Sequence, residues 1–160
     1  MGNLEGFINA LREKGLNVTY QRILIYKHLV QTKTHPAAEE IYNVVKSEYP
    51  SISMATVYKT LETFAEHNLI NKVNALHDLA RFDGDTTPHH HLICLNCKKI
   101  VDIYNDALNN LPTPPNKNFK VLGYQVQFEG ICENCELGPA KKSAPLADER
   151  PLTFCGKEKN

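Results

Sequence analysis

Two cysteine pairs of identical spacing, Cys94-Leu-Asn-Cys97 and Cys132-Glu-Asn-Cys135, constrain this chain more than any other feature. Two residues between cysteines let both thiolates leave one tight turn toward a common point. Two such turns supply four soft ligands, a closed tetrahedron for Zn2+ with no position left for water. With 34 residues between Cys97 and Cys132, the ion would tie the start of a small domain to its end. The competing reading is a pair of redox-active C-x-x-C motifs, or buried cysteines. A redox motif needs a strand-to-helix setting, and two in one small domain is uncommon. The staple matters because 160 residues with 42% apolar content give each half of the chain a thin core.

The first half has helical periodicity. Leu4, Phe7, Ile8 and Leu11 form one stripe, with Gly15 as the stop. Thr19 is placed to cap a second helix with Ile23, Tyr26 and Val30 on its inner side. Pro36 suits the first position of a third helix that turns Ala37, Ile41, Val44 and Val45 inward. Ser53 caps a fourth, Met54 to about His67, with Val57, Leu61, Phe64 and Ala65 facing the core. LINKV and LARFD then read as a hairpin, the order of a winged helix-turn-helix. Residues 84–88, GDTTP, break the pattern.

The second half reads as strands: HHHLIC, KKIVDIY and, by strict alternation of Tyr124, Val126 and Phe128, a half-buried YQVQFEGIC. A short helix is expected over residues 105–111, ending at Pro112. The fold class is therefore α+β: an N-terminal winged-helix DNA-binding domain (1–83), a hinge (84–88), a small α/β metal-binding domain (89–137), and a disordered tail (138–160) that holds Cys155. No apolar run is long enough to cross a membrane, and the N-terminus lacks the layout of a signal peptide, so a cytoplasmic protein is expected. Net charge is zero. Residues 1–34 carry five Lys/Arg against two acids, a slight local positive bias.

A second set of ligand-type residues lies around the hinge. His89 and His91 are two apart on a strand and share a face, while His90 points away. Asp102 on the next strand can reach that face. His35 comes from the first domain and Asp83 from the end of the wing. If all five meet, three imidazoles and two carboxylates make a reversible site for Fe2+ or Mn2+ that clamps the two domains. Singly, each has a plainer reading: His35 as a helix cap, Asp83 and Asp102 as solvated charges, the histidine run as chance.

On the fourth helix, Ser53, Ala55, Thr56, Tyr58 and Lys59 can face a major groove, with Gln21 and Arg22 on the phosphate backbone. A charged face of a protein-interaction module is the alternative. A small enzyme using His89, His91 and Asp102 as a facial triad would leave that helix unexplained.

HPAAEEIY, SMATVYKTLETF, RFD before the hinge, HHHLICLNCKKIVD and GICENC together resemble the ferric uptake regulator superfamily, from about Leu4 to Leu137. The resemblance implies a homodimeric repressor that binds palindromic operator DNA when its regulatory metal is bound. It carries the structural zinc, one per subunit, onto Cys94, Cys97, Cys132 and Cys135. One regulatory Fe2+ or Mn2+ per subunit falls on His35, Asp83, His89, His91 and Asp102. Asp at 102, rather than Glu, resembles the peroxide-sensing branch. There Fe2+-catalysed oxidation of a histidine ligand, matching His35 or His89, releases the repressor from DNA. The alternative is an iron-responsive or other metal-responsive repressor. His90 stands where relatives often have Tyr, and Asn17 where they often place Lys or Arg.

Overall fold

The computed structural model describes residues 4–75, 79–112 and 118–138. The hairpin tip, the tail expected beyond Gly138, and Cys155 lie outside the described residues. Helix α1 (Leu4–Glu13) buries Phe7 and Leu11 as its stripe requires. Gly15, at φ +68°, ends it in the left-handed region. Leu16 N–H reaches Leu11 O (2.8 Å) and Gly15 N–H reaches Arg12 O (3.0 Å), the two bonds of a Schellman stop. Phe7 stacks on Tyr26 (3.5 Å between ring centroids) and meets Phe64 edge-on (5.2 Å).

Helix α2 (Tyr20–Gln31) starts where Thr19 accepts from Arg22 N–H. It buries Leu24, Ile25, Tyr26 and Leu29. The expected face through Ile23 and Val30 is thus rotated, because apolar residues at 23–26 and 29–30 nearly encircle the helix and leave its orientation to tertiary packing. Helix α3 (Ala38–Glu48) begins two residues after Pro36. Pro36 is not its first residue, since its carbonyl bonds Phe82 N–H (3.0 Å) and pulls residues 36–37 alongside the wing. Ala37 N–H bonds Glu40 Oε2 (2.7 Å). Ala38, Ile41 and Val45 face inward, whereas Val44 is 48% exposed. Helix α4 (Met54–Glu66) is capped by Ser53 and buries Val57, Thr60, Leu61 and Phe64.

Strands β1 (Asn71–Ala75) and β2 (Leu79–Asp83) form the antiparallel wing. With the helices they make a winged helix-turn-helix, whose core includes Leu69, Ile70 and Phe82. The second sheet has the order β4-β3-β5, built from β3 (His90–Cys94), β4 (Ile100–Ile103) and β5 (Gln127–Gly130). Short helices α5 (Asp106–Asn109) and α6 (Glu133–Glu136) flank β5 in sequence. β3 runs antiparallel to β4, with His91 opposite Asp102, and parallel to β5, with Leu92 opposite Phe128. Val73 of the wing packs with Ile93 and Ile100, seating the first unit on the second sheet.

Strand β5 is shorter than its alternation suggests, and it is not half-buried. Phe128, Leu92, Val101 and Tyr124 are all more than 40% exposed. Leu92, Val101 and Phe128 sit opposite one another across the three strands, and no layer among the described residues covers them.

Candidate metal centre

Cys94 ends β3, and Cys97 sits in the turn closed by Lys98, whose φ is +61°. Cys132 and Cys135 open α6, where Cys135 N–H bonds Cys132 O (2.8 Å). Leu95 N–H to Gly130 O (2.7 Å) holds the two turns together. The four sulfurs lie within 4.8 Å of one another, and Cys97 and Cys132 Sγ are 3.6 Å apart. Tetrahedral Zn–S bonds require an edge of about 3.8 Å, so the donor set fits a four-thiolate zinc. Backbone N–H groups of Cys97 and Cys132 bring the Cys94 thiol down to about 6. Hydrogen bonds with the Cys132 and Cys97 sulfurs push Cys135 up to about 12. A divalent ion would displace the thiol protons as it binds.

At the other end of β3, a second cluster assembles. His35, at φ +50°, is delivered by the 36–37 segment lying along β2. Asp83 closes β2, His89 and His91 flank the start of β3, and Asp102 lies across from His91. His35, Asp83, His89 and His91 place ligand atoms within 4.8 Å of one another. Asp102 sits at the rim of that set. Its Oδ1 is 2.8 Å from His35 Nε2, 3.9 Å from His89 Nε2 and 3.8 Å from His91 Nε2. Asp83 Oδ2 is 2.9 Å from His89 Nε2 and 3.9 Å from His35 Nε2.

All five sequence-expected residues therefore meet. His35 Nε2, Asp83 Oδ2 and Asp102 Oδ1 are buried and close, yet none makes a directed hydrogen bond. Atoms that crowd without pointing at one another are what lone pairs aimed at a shared cation look like, and mixed N/O donors fit Fe2+ or Mn2+.

Residues that the sequence reading did not single out orient the donors. His89 Nδ1 faces Thr87 O at 2.8 Å, which fixes the proton on Nδ1 and leaves Nε2 bare toward the site. Asp83 Oδ1 accepts from Asp85 N–H (2.9 Å), so Oδ2 is the free oxygen. Asp85 in turn accepts from Thr87 N–H and Oγ1 and from Tyr104 O–H (2.8 Å). Asn71 Nδ2 bonds the Asp85 carbonyl (2.7 Å). Burial raises Asp85, but the Thr87 and Tyr104 bonds win and hold its carboxyl low. The D-x-T turn at 85–87 was a readable signal for this hub, whereas Tyr104 and Gln125 left none.

Gln125 Nε2 lies 3.1 Å from His91 Nδ1, and His91 Nε2 lies 3.0 Å from His89 Nε2. A rotation of that amide to present Oε1 would move the His91 proton to Nδ1 and bare its Nε2. Burial, then the neighbouring imidazoles, bring His91 down to about 4, and burial lifts Asp83. Both shifts favour neutral groups until a cation arrives. A cavity of about 580 Å3 opens onto His35, Asp83 and Asp102 and is walled by Tyr26, Val30, Lys33 and Tyr104.

His90 does face away from the cluster. Its Nδ1 accepts from Val126 N–H (3.2 Å) and its ring lies against Tyr124 (6.2 Å).

The ferric uptake regulator family pattern matches residues 13–129. The chain is 34% identical over 135 residues to the peroxide-responsive repressor PerR of Staphylococcus aureus, covering 83% of this chain and 91% of that protein. This chain belongs to the ferric uptake regulator family. Among solved structures, the Helicobacter pylori ferric uptake regulator shares the fold, with a TM-score of 0.71 at 21% identity, over 87% of this chain and 97% of that one. The Campylobacter jejuni peroxide stress regulator gives 0.57 at 28% identity, over 84% and 100%. Fur-family proteins are metal-responsive, DNA-binding repressors that act as dimers, and not enzymes.

In this Fur-family chain, α4 turns Ser53, Ala55, Thr56, Tyr58 and Lys59 outward, all exposed, while Val57 and Leu61 anchor the helix. Ser53 Oγ is engaged by Thr56 N–H (3.1 Å) and Thr56 Oγ1 (2.8 Å). Arg22 Nη1 bonds Asn17 O (2.6 Å), an intramolecular tie that the sequence did not announce, and Gln21 lies next to it, partly buried. Among the described residues, no helix is long and apolar enough to cross a membrane.

Proposed function

We propose that this Fur-family repressor senses hydroperoxides in the cytoplasm through a regulatory Fe2+ held by His35, Asp83, His89, His91 and Asp102. Mn2+ would be an unreactive substitute. Cys94, Cys97, Cys132 and Cys135 hold a structural zinc. Residues 1–83 form the DNA-reading unit, 84–88 the hinge and 89–137 the dimerisation unit. The uncovered face of Leu92, Val101 and Phe128 is where a second copy would lie. Two copies present α4 to the half-sites of a palindromic operator, with Ala55 and Thr56 methyls, Tyr58 and Lys59 against bases and phosphates, and Ser53, Gln21 and Arg22 on the backbone.

The observation that carries the reading is Asp102 Oδ1 at 2.8 Å from His35 Nε2, across the join between the two units. Ligands from α3's approach, the wing and the second sheet converge there, so one cation fixes their relative orientation. The short Asp side chain holds the rim position while the cavity leaves a path for a small oxidant. Fe2+, when bound, supplies one-electron chemistry toward a hydroperoxide beside an imidazole. Oxidation of His35 or His89 removes a donor that their Asp and Thr87 partners had oriented.

The test is anaerobic loading with Fe2+ or Mn2+, addition of hydrogen peroxide, then peptide mass and operator binding. One oxygen gained on His35 or His89, with binding lost in the iron form alone, is expected. Unmodified histidines with undiminished binding would replace this reading with an iron-responsive repressor.

A further inference from the structure

Two tyrosines line the cavity that opens onto the clustered donors, and Tyr104 is the one exposed to solvent, whereas Tyr26 is buried. Tyr104 follows β4 two residues after Asp102. Its ring centroid lies 5.5 Å from that of His89, and its hydroxyl is anchored on Asp85 at 2.8 Å. It walls the 580 Å3 cavity that leads to His35, Asp83 and Asp102, and it is 60% exposed, whereas the His35 and His89 side chains are 2% and 1% exposed. An oxidant born at the donors and leaving through that cavity meets imidazole on the inner side and this phenol on the way out. Phenols are electron-rich and are oxidised at least as readily as imidazoles. Proximity, rather than recognition, decides which ring is struck.

We infer that Tyr104 is a second oxidation site of this protein. Hydroxylation of its ring competes with oxidation of the histidine ligands and raises the peroxide dose at which the repressor leaves DNA. The inference rests on the proposed peroxide reading. In the balanced reaction a ring C–H becomes C–OH and the O–O bond of the hydroperoxide breaks. One oxygen joins the ring, and the other leaves with the displaced hydrogen as water, or as an alcohol from an alkyl hydroperoxide. The ring gives up two electrons and the hydroperoxide takes them. Every donor atom survives this event, so a molecule modified at Tyr104 keeps its metal and stays on the operator. A molecule modified at His35 or His89 does not.

The test uses full-length, zinc-replete protein loaded anaerobically with Fe2+ and given hydrogen peroxide in substoichiometric steps, with peptide mapping by mass spectrometry at each step. One oxygen on Tyr104 is expected beside that on His35 or His89, and neither in protein loaded with Mn2+. In Tyr104→Leu, histidine oxidation per peroxide should rise about twofold if the two rings share the oxidant evenly, and operator release should need less peroxide. Wild-type mapping decides the matter even if that variant folds poorly. Oxygen on the histidines with Tyr104 unmodified at every dose overturns the inference and leaves the peroxide reading standing. The same follows from oxygen on Tyr26 instead, or from Tyr104 modification that persists with Mn2+. Oxygen on no residue overturns both.

Discussion

Replacing Gly84 by alanine should uncouple the regulatory site from an otherwise folded protein. Gly84 follows Asp83 directly and passes against α2. A Cβ there would lie 2.8 Å from Val30 Cγ1, 3.2 Å from Val30 Cα and 3.4 Å from Val30 N. Carbon atoms pack at about 3.5–4.0 Å. The side-chain clash alone could be relieved by a rotamer change, but valine in a helix has essentially one good χ1. The clash with the Val30 backbone cannot be relieved without moving α2. The backbone at Gly84 must therefore retreat by roughly 0.5 Å, taking the Asp83 carboxylate and its Asp85 N–H partner with it.

Overpacking of this kind costs about 1–3 kcal/mol of stability. Ligand positions tolerate only about 0.2 Å, so the affinity for Mn2+ should fall about tenfold or more, equivalent to about 1.4 kcal/mol. Anaerobic Mn2+ titration and urea denaturation of the zinc-replete protein measure the two effects separately. Gly123→Ala, where a Cβ meets nothing within 4 Å, serves as control and should change neither. Adding Val30→Ala to Gly84→Ala should recover part of the affinity. Wild-type Mn2+ affinity in Gly84→Ala would refute the argument that this close approach sets the position of Asp83.

Gln125→Leu should weaken Mn2+ binding by about 10–100-fold, because His91 loses its orienting partner, and Gln125→Glu should retain or tighten it; equal affinities across the three proteins would dismiss the contact. His91, held at about 4 when folded against 6.5 when free, refuses a proton that the unfolded chain accepts. Its contribution to stability is therefore complete above pH 6.5 and is lost as pH falls toward 4. In protein lacking the regulatory metal but retaining zinc, denaturation midpoints should drop by an amount equivalent to about 2 kcal/mol across that window. His91→Gln should flatten the drop, and an unchanged slope would assign it to other groups. Stripping zinc, or Cys132→Ala, should convert dimers to monomers on size exclusion with light scattering, and a stable zinc-free dimer would contradict this.

Much of the site was legible because its residues obey short-range rules. The period of two along a strand puts His89 and His91 on one face, and the C-x-x-C turns declare their own geometry. The wing, the caps at Thr19 and Ser53 and the stop at Gly15 are local as well. What the sequence concealed depends on long-range packing. The inner face of α2 is ambiguous when Ile23, Leu24, Ile25 and Tyr26 are all apolar. The displacement of Pro36 from α3 follows from its bond to Phe82, 46 residues away in sequence. Phe128 is exposed because no layer among the described residues covers its face, which alternation alone cannot foretell. The orienting residues Tyr104 and Gln125 act by where the fold puts them, so only Asp85 and Thr87, which share a turn, could have been found from their spacing.

Strand β3 carries His91 three residues from Cys94, a span of about 10 Å, so the two ion sites are moored to one taut line. Damage should travel along it unequally. Withdrawing an ion from the proposed His/Asp site would leave the thiolate knot tied and the strand in register with both neighbours. Undoing the knot frees the end of β5, which only four residue pairs hold in parallel with β3, and the imidazoles at the far end then lose their footing. If the proposed sites are filled as their donors suggest, agents that attack zinc thiolates would blind the protein without ever touching a histidine.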